Sequence, residues 1–147
     1  MDNEKNCADL LYAMHRFGTS RSQFVDNVSS GGIFAQIDIE TGVMTKAKTL
    51  FTSDYTSKGF CTHPDTKSQI EGVKIPNWEE IVDRLLYAHQ CFPYYKFFAW
   101  DVTIDEKGEP WILEINRGSD LNSQSISPLR HTKLGEWMKS NGLLDHF

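Results

Sequence analysis

Residues 96–116, KFFAWDVTIDEKGEPWILEIN, constrain this chain more than any other stretch. Residues 96–105 and 110–116 are rich in aromatic and β-branched types, and Asp105, Glu106, Lys107, Gly108 and Glu109 between them supply turn chemistry, which predicts a β-hairpin. If Asp105 pairs with Pro110, Asp101 falls directly opposite Glu114. Side chains alternate along a strand, so one face reads Ala99, Asp101 and Thr103 with Ile112, Glu114 and Asn116. The other face reads Trp100, Val102 and Ile104 with Trp111, Leu113 and Ile115. It is wholly apolar and is expected to pack on a core. Like charges directly across a strand pair destabilise it, so two facing carboxylates either share a proton or hold a cation. A register shifted by one or two residues would instead leave them on a solvated face. Mg²⁺ takes oxygen from one or two carboxylates and keeps its waters, so Asp101, Glu114 and the amide oxygen of Asn116 suit it.

Composition narrows the classes. At 147 residues with 39% hydrophobic content, a single globular domain with a real core is expected. No run is long enough to span a bilayer, and MDNEKN lacks the basic and apolar regions of a signal peptide, so the expected address is the cytoplasm. Cys7, Cys61 and Cys91 are odd in number and lack C-x-x-C spacing, which argues for free thiols. A net charge of −5 with scattered Lys and Arg gives no footprint for nucleic acid, and none of the five histidines has metal spacing with another.

Residues 8–17, ADLLYAMHRF, are apolar on both alternations, as a central strand is, with Arg16 at the strand end before a turn at 18–22. There a cation reaches either a pocket or solvent. In FVDNVSSGG, residues 24–32, Gly31 and Gly32 allow close backbone approach to a ligand, although such a run also serves as a plain loop. It is no Walker A motif, since the Lys and hydroxyl residue are missing. Residues 33–39 alternate as a strand, and Glu40, Thr41 and Gly42 turn it into a return strand over 43–51 on which Lys46 and Lys48 read as edge protection. Residues 52–74 hold no periodicity, the mark of a functional or mobile loop, and His63-Pro64-Asp65-Thr66 either offers an imidazole to substrate or is an X-Pro-Asp turn. Residues 77–92 form the clearest helix, with Asn77 and Glu80 as a capping pair and a stripe of Trp78, Ile81, Val82, Leu85, Leu86, His89 and Phe92. Arg117, Asp120 and Gln124 lie in a polar run after the hairpin, within reach of a substrate. A last helix starts near Pro128 or Thr132, buries Leu134, Trp137 and Met138, and stops at Asn141 and Gly142.

The order His63-Pro64-Asp65-Thr66, Ile75-Pro76-Asn77-Trp78, then Trp100-Asp101 and Glu114-Ile115-Asn116, resembles the sugar-transfer-associated subgroup of the ATP-grasp superfamily. The resemblance covers most of residues 10–125. It implies an α+β fold, mostly antiparallel sheet with packed helices, like the C-terminal half of an ATP-grasp domain. It implies Mg²⁺ or Mn²⁺ on Asp101, Glu114 and Asn116, bridging ATP phosphates, and Arg16 as the catalytic contact to the transferring phosphate. Asn27, Gly31 and Gly32 match the F-x-x-N-x-x-x-G-G phosphate loop of amide-forming relatives, some of which carry a basic residue where this chain has Val25. The expected reaction activates a small-molecule carboxylate as an acyl phosphate for attack by an acceptor amine, in cell-surface polysaccharide or peptide-like metabolite modification. Because the nucleotide pocket of such enzymes lies upstream of the strand ending at Arg16, the chain is expected to be one partial domain, inactive as a ligase alone. A Mg²⁺-dependent nuclease, whose hairpin cores carry E-x-K where this chain has E-x-N, and a non-catalytic binding domain stand as alternatives.

Overall fold

A computed structural model describes residues 8–22, 30–49, 58–117 and 129–143. They fall into two units, one comprising Leu11–Ile75 and Leu121–Phe147, the other Met1–Leu10 and Pro76–Asp120. Helices and antiparallel sheets together make the fold α+β, as expected. No helix among the described residues is long and apolar enough to cross a membrane.

The first unit is organised on β2 (Ile33–Ile37), whose Ile33, Phe34 and Ala35 are at most 1% exposed and form the centre of the core. Burying side chains of this size stabilises by about 1.5–3 kcal/mol each. On one side β2 pairs antiparallel with β1 (Ala13–Phe17), Arg16 standing opposite Phe34. On the other it pairs with β3 (Ala47–Lys48), which pairs in turn with β4 (Gly59–Phe60), giving the sheet order β1-β2-β3-β4. The segment read as a central strand is thus an edge strand among the described residues. The reason is where its apolar residues lie: Leu10, Leu11 and Tyr12 precede the strand, and within it Met14 and His15 are exposed.

The turn after β2 begins earlier than the alternation suggests. Asp38 Oδ1 accepts from the backbone of Glu40 and Thr41 and from the Thr41 hydroxyl, and Gly42 takes the positive φ of 74° that closes the loop. Ile39 is therefore outside the strand, as part of an Asx-type turn. The return is broken as well: Met44 bridges Ile37 and Val43 bridges Lys74 before the short β3, and residues 50–57 lie outside the described set. Because β4 covers β3, Lys46 and Lys48 do not guard an edge.

Within the 52–74 stretch expected to hold no periodicity, residues 61–74 are folded. Cys61 O accepts from the backbone of Ile70 and Glu71, Thr62 bridges Gln69, and Ile70, 1% exposed, is the apolar anchor that holds the loop down. The C-terminal part follows the sequence closely. After a 3₁₀ turn (Leu129–His131), α2 (Lys133–Ser140) is capped by Thr132, whose hydroxyl accepts from Gly135 N at 3.2 Å. Leu134 and Met138 are buried, Leu134 N donates to Leu11 O, and Gly142 at φ 69° ends the helix.

In the second unit α1 (Trp78–Gln90) precedes the hairpin β5 (Ala99–Ile104) and β6 (Pro110–Asn116). The predicted capping pair does not form. Asn77 sits at φ 52°, ψ 30° with no side-chain cap, and its amide instead reaches Gly108 O at 3.5 Å in the hairpin turn. Of the predicted stripe Trp78 and Ile81 are buried, Val82, Leu85, Leu86 and His89 are half-buried, and Phe92 lies exposed beyond the helix, which ends at Gln90. His89 packs as an aromatic, its ring 5.2 Å from Phe98 and 6.3 Å from Trp100, with Phe92 beside the same two rings. Arg84 ties helix to hairpin by pairing with Glu80 and Glu109.

Candidate functional site

The hairpin forms where the sequence puts it because Asp105 organises its turn. Asp105 Oδ1 accepts from the backbone N–H of Lys107 and Glu109 at 2.9 Å each, Oδ2 accepts from Trp111 Nε1 at 3.1 Å, and Gly108 supplies a φ of 83°. The backbone N–H of Glu109, foremost among these donors, holds the Asp105 carboxyl below the usual carboxylate range.

From that turn the strands run up to the carboxylates. Asp101 lies directly opposite Glu114, and Ala99 opposite Asn116, as the expected register requires. Below them the register shifts by one: Val102 faces Ile112, Thr103 faces Trp111 and Ile104 faces Pro110. Leu113 is the extra residue of a β-bulge between the two registers. The bulge overturns part of the predicted face pattern. Paired residues share a face, so Ile112 belongs with Val102 and Trp111 with Thr103, the reverse of a regular ladder. The side carrying Asp101, Glu114 and Asn116 therefore also carries Trp111, which is 61% exposed. Nor is the opposite face fully packed: β5 is half-buried while Ile112 and Ile115 on β6 are 48% and 38% exposed.

The chemistry of this set is two carboxylates and one amide oxygen on adjacent strands. Bulges recur beside functional sites, where they re-aim side chains. Among the described residues no group of three or more His, Cys, Asp or Glu converges as a metal cluster. A cation here would thus rest on Asp101, Glu114 and Asn116 and complete its shell with water or phosphate. That donor set fits Mg²⁺ or Mn²⁺, which prefer oxygen and retain waters, and does not fit zinc. Arg117 follows directly, exposed at the end of β6.

The other predicted residues belong to the first unit. Arg16 is half-buried on β1, one residue before the strand ends. Gly31 has a φ of 105°, and a Cβ there would come within 3.1 Å of the Arg21 Cβ, so glycine is required. Gly32 is buried next to it. His63 Nε2 lies 2.8 Å from Gly18 O, and Asp65 two residues on accepts from Ser20. Asn27, Asp120 and Gln124 lie outside the described residues. A cleft of about 180 Å³ in the same unit is lined by Leu11, Tyr12, Asp38, His131 and Lys133, among others, and by none of the predicted site residues. It is smaller than the ~300–1,000 Å³ usual for small-molecule pockets.

Sequence reading missed two participants, Thr19 and Ser20. Thr19 is 5% exposed and its hydroxyl donates to Gly31 O at 2.8 Å; Ser20 meets Asp65 through both its backbone N–H and its hydroxyl. An X-Pro-Asp turn could be read in the chain, but its partner lies 45 residues away and left no local signal.

Helices and antiparallel sheets, together an α+β fold, are consistent with an ATP-grasp-type domain. The sugar-transfer associated ATP-grasp family matches residues 2–132, and the chain belongs to that family. It matches no curated protein and no solved structure.

Proposed function

We propose that the chain carries the metal- and phosphate-binding part of an ATP-dependent ligase that joins a carboxylate to an amine or similar nucleophile, in the modification of cell-surface polysaccharide or a peptide-like metabolite. Family membership supports the class of chemistry. The single observation that supports the site is the placement of Asp101 opposite Glu114 with Asn116 two residues further along β6.

In this reading the substrate carboxylate attacks the γ-phosphorus of ATP, ADP leaves, and the amine then displaces inorganic phosphate from the acyl phosphate. Mg²⁺ bound at the hairpin would offset the negative charge of the phosphates during transfer. Asp101 and Glu114 supply the charge that holds the cation, and Asn116 adds a neutral oxygen that orients it. Arg16 donates from its guanidinium to oxygens on which charge develops, an effect of about 3 kcal/mol for one well-placed donor. Gly31 and Gly32 present backbone without side-chain obstruction to a phosphate, and Asn27 is assigned to the phosphate by the resemblance alone. Arg117, Asp120 and Gln124 are the side chains assigned to substrates.

The test is a Mn²⁺ titration of the full chain, followed by electron paramagnetic resonance with and without an unhydrolysable ATP analogue. Wild type should show one bound Mn²⁺ per chain, and Glu114→Gln and Asp101→Asn should each abolish it. Mn²⁺ affinity unchanged by both substitutions would remove the site.

A further inference from the structure

The residues His63-Pro64-Asp65-Thr66 read equally as a substrate contact or a turn, and their hydrogen bonds distinguish the two. His63 Nε2 lies 2.8 Å from Gly18 O, while its Nδ1 faces the backbone nitrogens of Asp65 and Thr66 at 3.3 Å. A carbonyl only accepts and a backbone N–H only donates. Nε2 therefore donates and Nδ1 accepts, so both ring nitrogens are engaged by backbone. No polar atom of the imidazole is left for a substrate. Its ring edge meets Phe17, centroids 6.2 Å apart, at the end of β1.

Asp65 is committed in the same way. Its Oδ2 accepts from Ser20 N at 2.8 Å and its Oδ1 from Ser20 Oγ at 2.9 Å. The turn it grips is closed from within, Thr19 N donating to Ser22 Oγ at 2.8 Å and Ser22 Oγ to Thr19 O at 2.9 Å, with both residues buried. Thr19 Oγ1 then donates to Gly31 O at 2.8 Å. Three motifs far apart in the chain thus share one hydrogen-bonded assembly: the strand end bearing Arg16, the glycine pair and the 63–66 turn.

We infer that His63 and Asp65 are positioning residues which set where Arg16 and the Gly31 backbone stand, rather than groups that touch substrate. The tether follows from the hydrogen bonds alone. Its consequence for phosphate rests on the proposed function.

The two ring nitrogens can be replaced separately. His63→Asn puts an oxygen where Nδ1 stood, keeping the 63–66 turn while losing the reach to Gly18. His63→Gln keeps a donor for Gly18 O. Amide hydrogen exchange on the full chain should show Ser20 and Ser22 exchanging about tenfold faster in His63→Asn, the factor that one hydrogen bond's net contribution gives. In His63→Gln they should stay near wild type, and in both variants Ile70 should be unchanged. Asp65→Asn should accelerate Ser20 by a similar factor. Equal exchange in His63→Asn, Asp65→Asn and wild type overturns the tether, and so does equal acceleration in both His63 variants.

A second measurement separates positioning from contact. The affinity for a Mn²⁺–ATP analogue should fall in His63→Asn and recover in His63→Gln. Loss in both, with exchange unaltered, would make His63 a substrate contact and overturn the inference. If wild type binds no nucleotide, the exchange comparison alone decides the tether, and the Mn²⁺ titration of the hairpin variants decides the proposed function separately.

Discussion

Neutralising Glu114 should stabilise the metal-free protein and at the same time remove its stabilisation by metal. Directly opposed residues of an antiparallel pair have Cα atoms about 4.5–5.5 Å apart. Two carboxylates on such a pair, with charges ~6 Å apart in a water-like dielectric, repel by about 0.7 kcal/mol. Measured cross-strand pairs fall within about 0.2–1 kcal/mol. Glu114→Gln should therefore gain a stability of that order in chelator, and the gain should shrink as salt screens the pair. With Mn²⁺ at a hundred times its dissociation constant, wild type should gain about 2.7 kcal/mol and the variant nothing. The order of stability then reverses between the two conditions. Urea unfolding followed by tryptophan fluorescence is the assay, since Trp78, Trp100 and Trp111 all lie in the unit that contains the hairpin. A variant that is less stable in chelator, or that shifts with Mn²⁺ in parallel with wild type, would refute the reasoning.

Four further outcomes are expected. Phe34→Ala empties the centre of the first core and should cost about 3–5 kcal/mol in urea unfolding; a loss under 1 kcal/mol would mean β2 is not the core strand. At Gly108 a Cβ would stand 2.4 Å from Asn77 Nδ2 at a φ of 83°, so Gly108→Ala should cost about 1–3 kcal/mol and speed amide exchange in the hairpin turn, whereas unchanged exchange would sink that reading. Asp38, Asp65 and Asp105 are each held below the ordinary carboxylate range, chiefly by the Thr41 hydroxyl, the Ser20 backbone N–H and the Glu109 backbone N–H respectively. Their contribution to stability is fully present above the unfolded value near ~3.9 and lost as pH falls through the lower folded values; stability measured by circular dichroism should drop across that acidic window and drop less in Asp105→Asn. Finally, DNA incubated with the chain and Mn²⁺ should stay intact on a gel, and cleavage abolished by Glu114→Gln would favour a nuclease instead.

What could be read from the sequence was local. The Asp105 turn marked the hairpin, but Pro110 pairs with Ile104 rather than the expected Asp105, and Asp101 meets Glu114 because the Leu113 bulge restores the offset. Thr132, Leu134 and Gly142 carried the start, face and end of α2. Signals that depend on distant partners were lost. The Leu113 bulge cannot be told from a regular ladder by residue type, because Trp111, Ile112 and Leu113 are all apolar and any one of them fits either face. Asn77 and Glu80 satisfy the spacing of a cap, yet the Asn77 side chain is drawn to Gly108, 31 residues away. The 61–74 part of the stretch looked irregular because a single buried Ile70 and a set of backbone bonds hold it, leaving no period to detect. Of the candidate site, the chemical identity of each side chain was legible and the mutual grip of the 18–22 and 63–66 turns was not.

The first unit is discontinuous: Leu11–Ile75 is completed by Leu121–Phe147, with the other unit's main segment between them. On a ribosome, β1 emerges long before Leu134, whose N–H binds Leu11 O and whose side chain joins the core. Until then the buried position that Leu134 fills is empty in the nascent chain. The hairpin and α1 have every residue they need by the time Asn116 is made, so vectorial synthesis lets that segment assemble before α2 emerges to close the other unit.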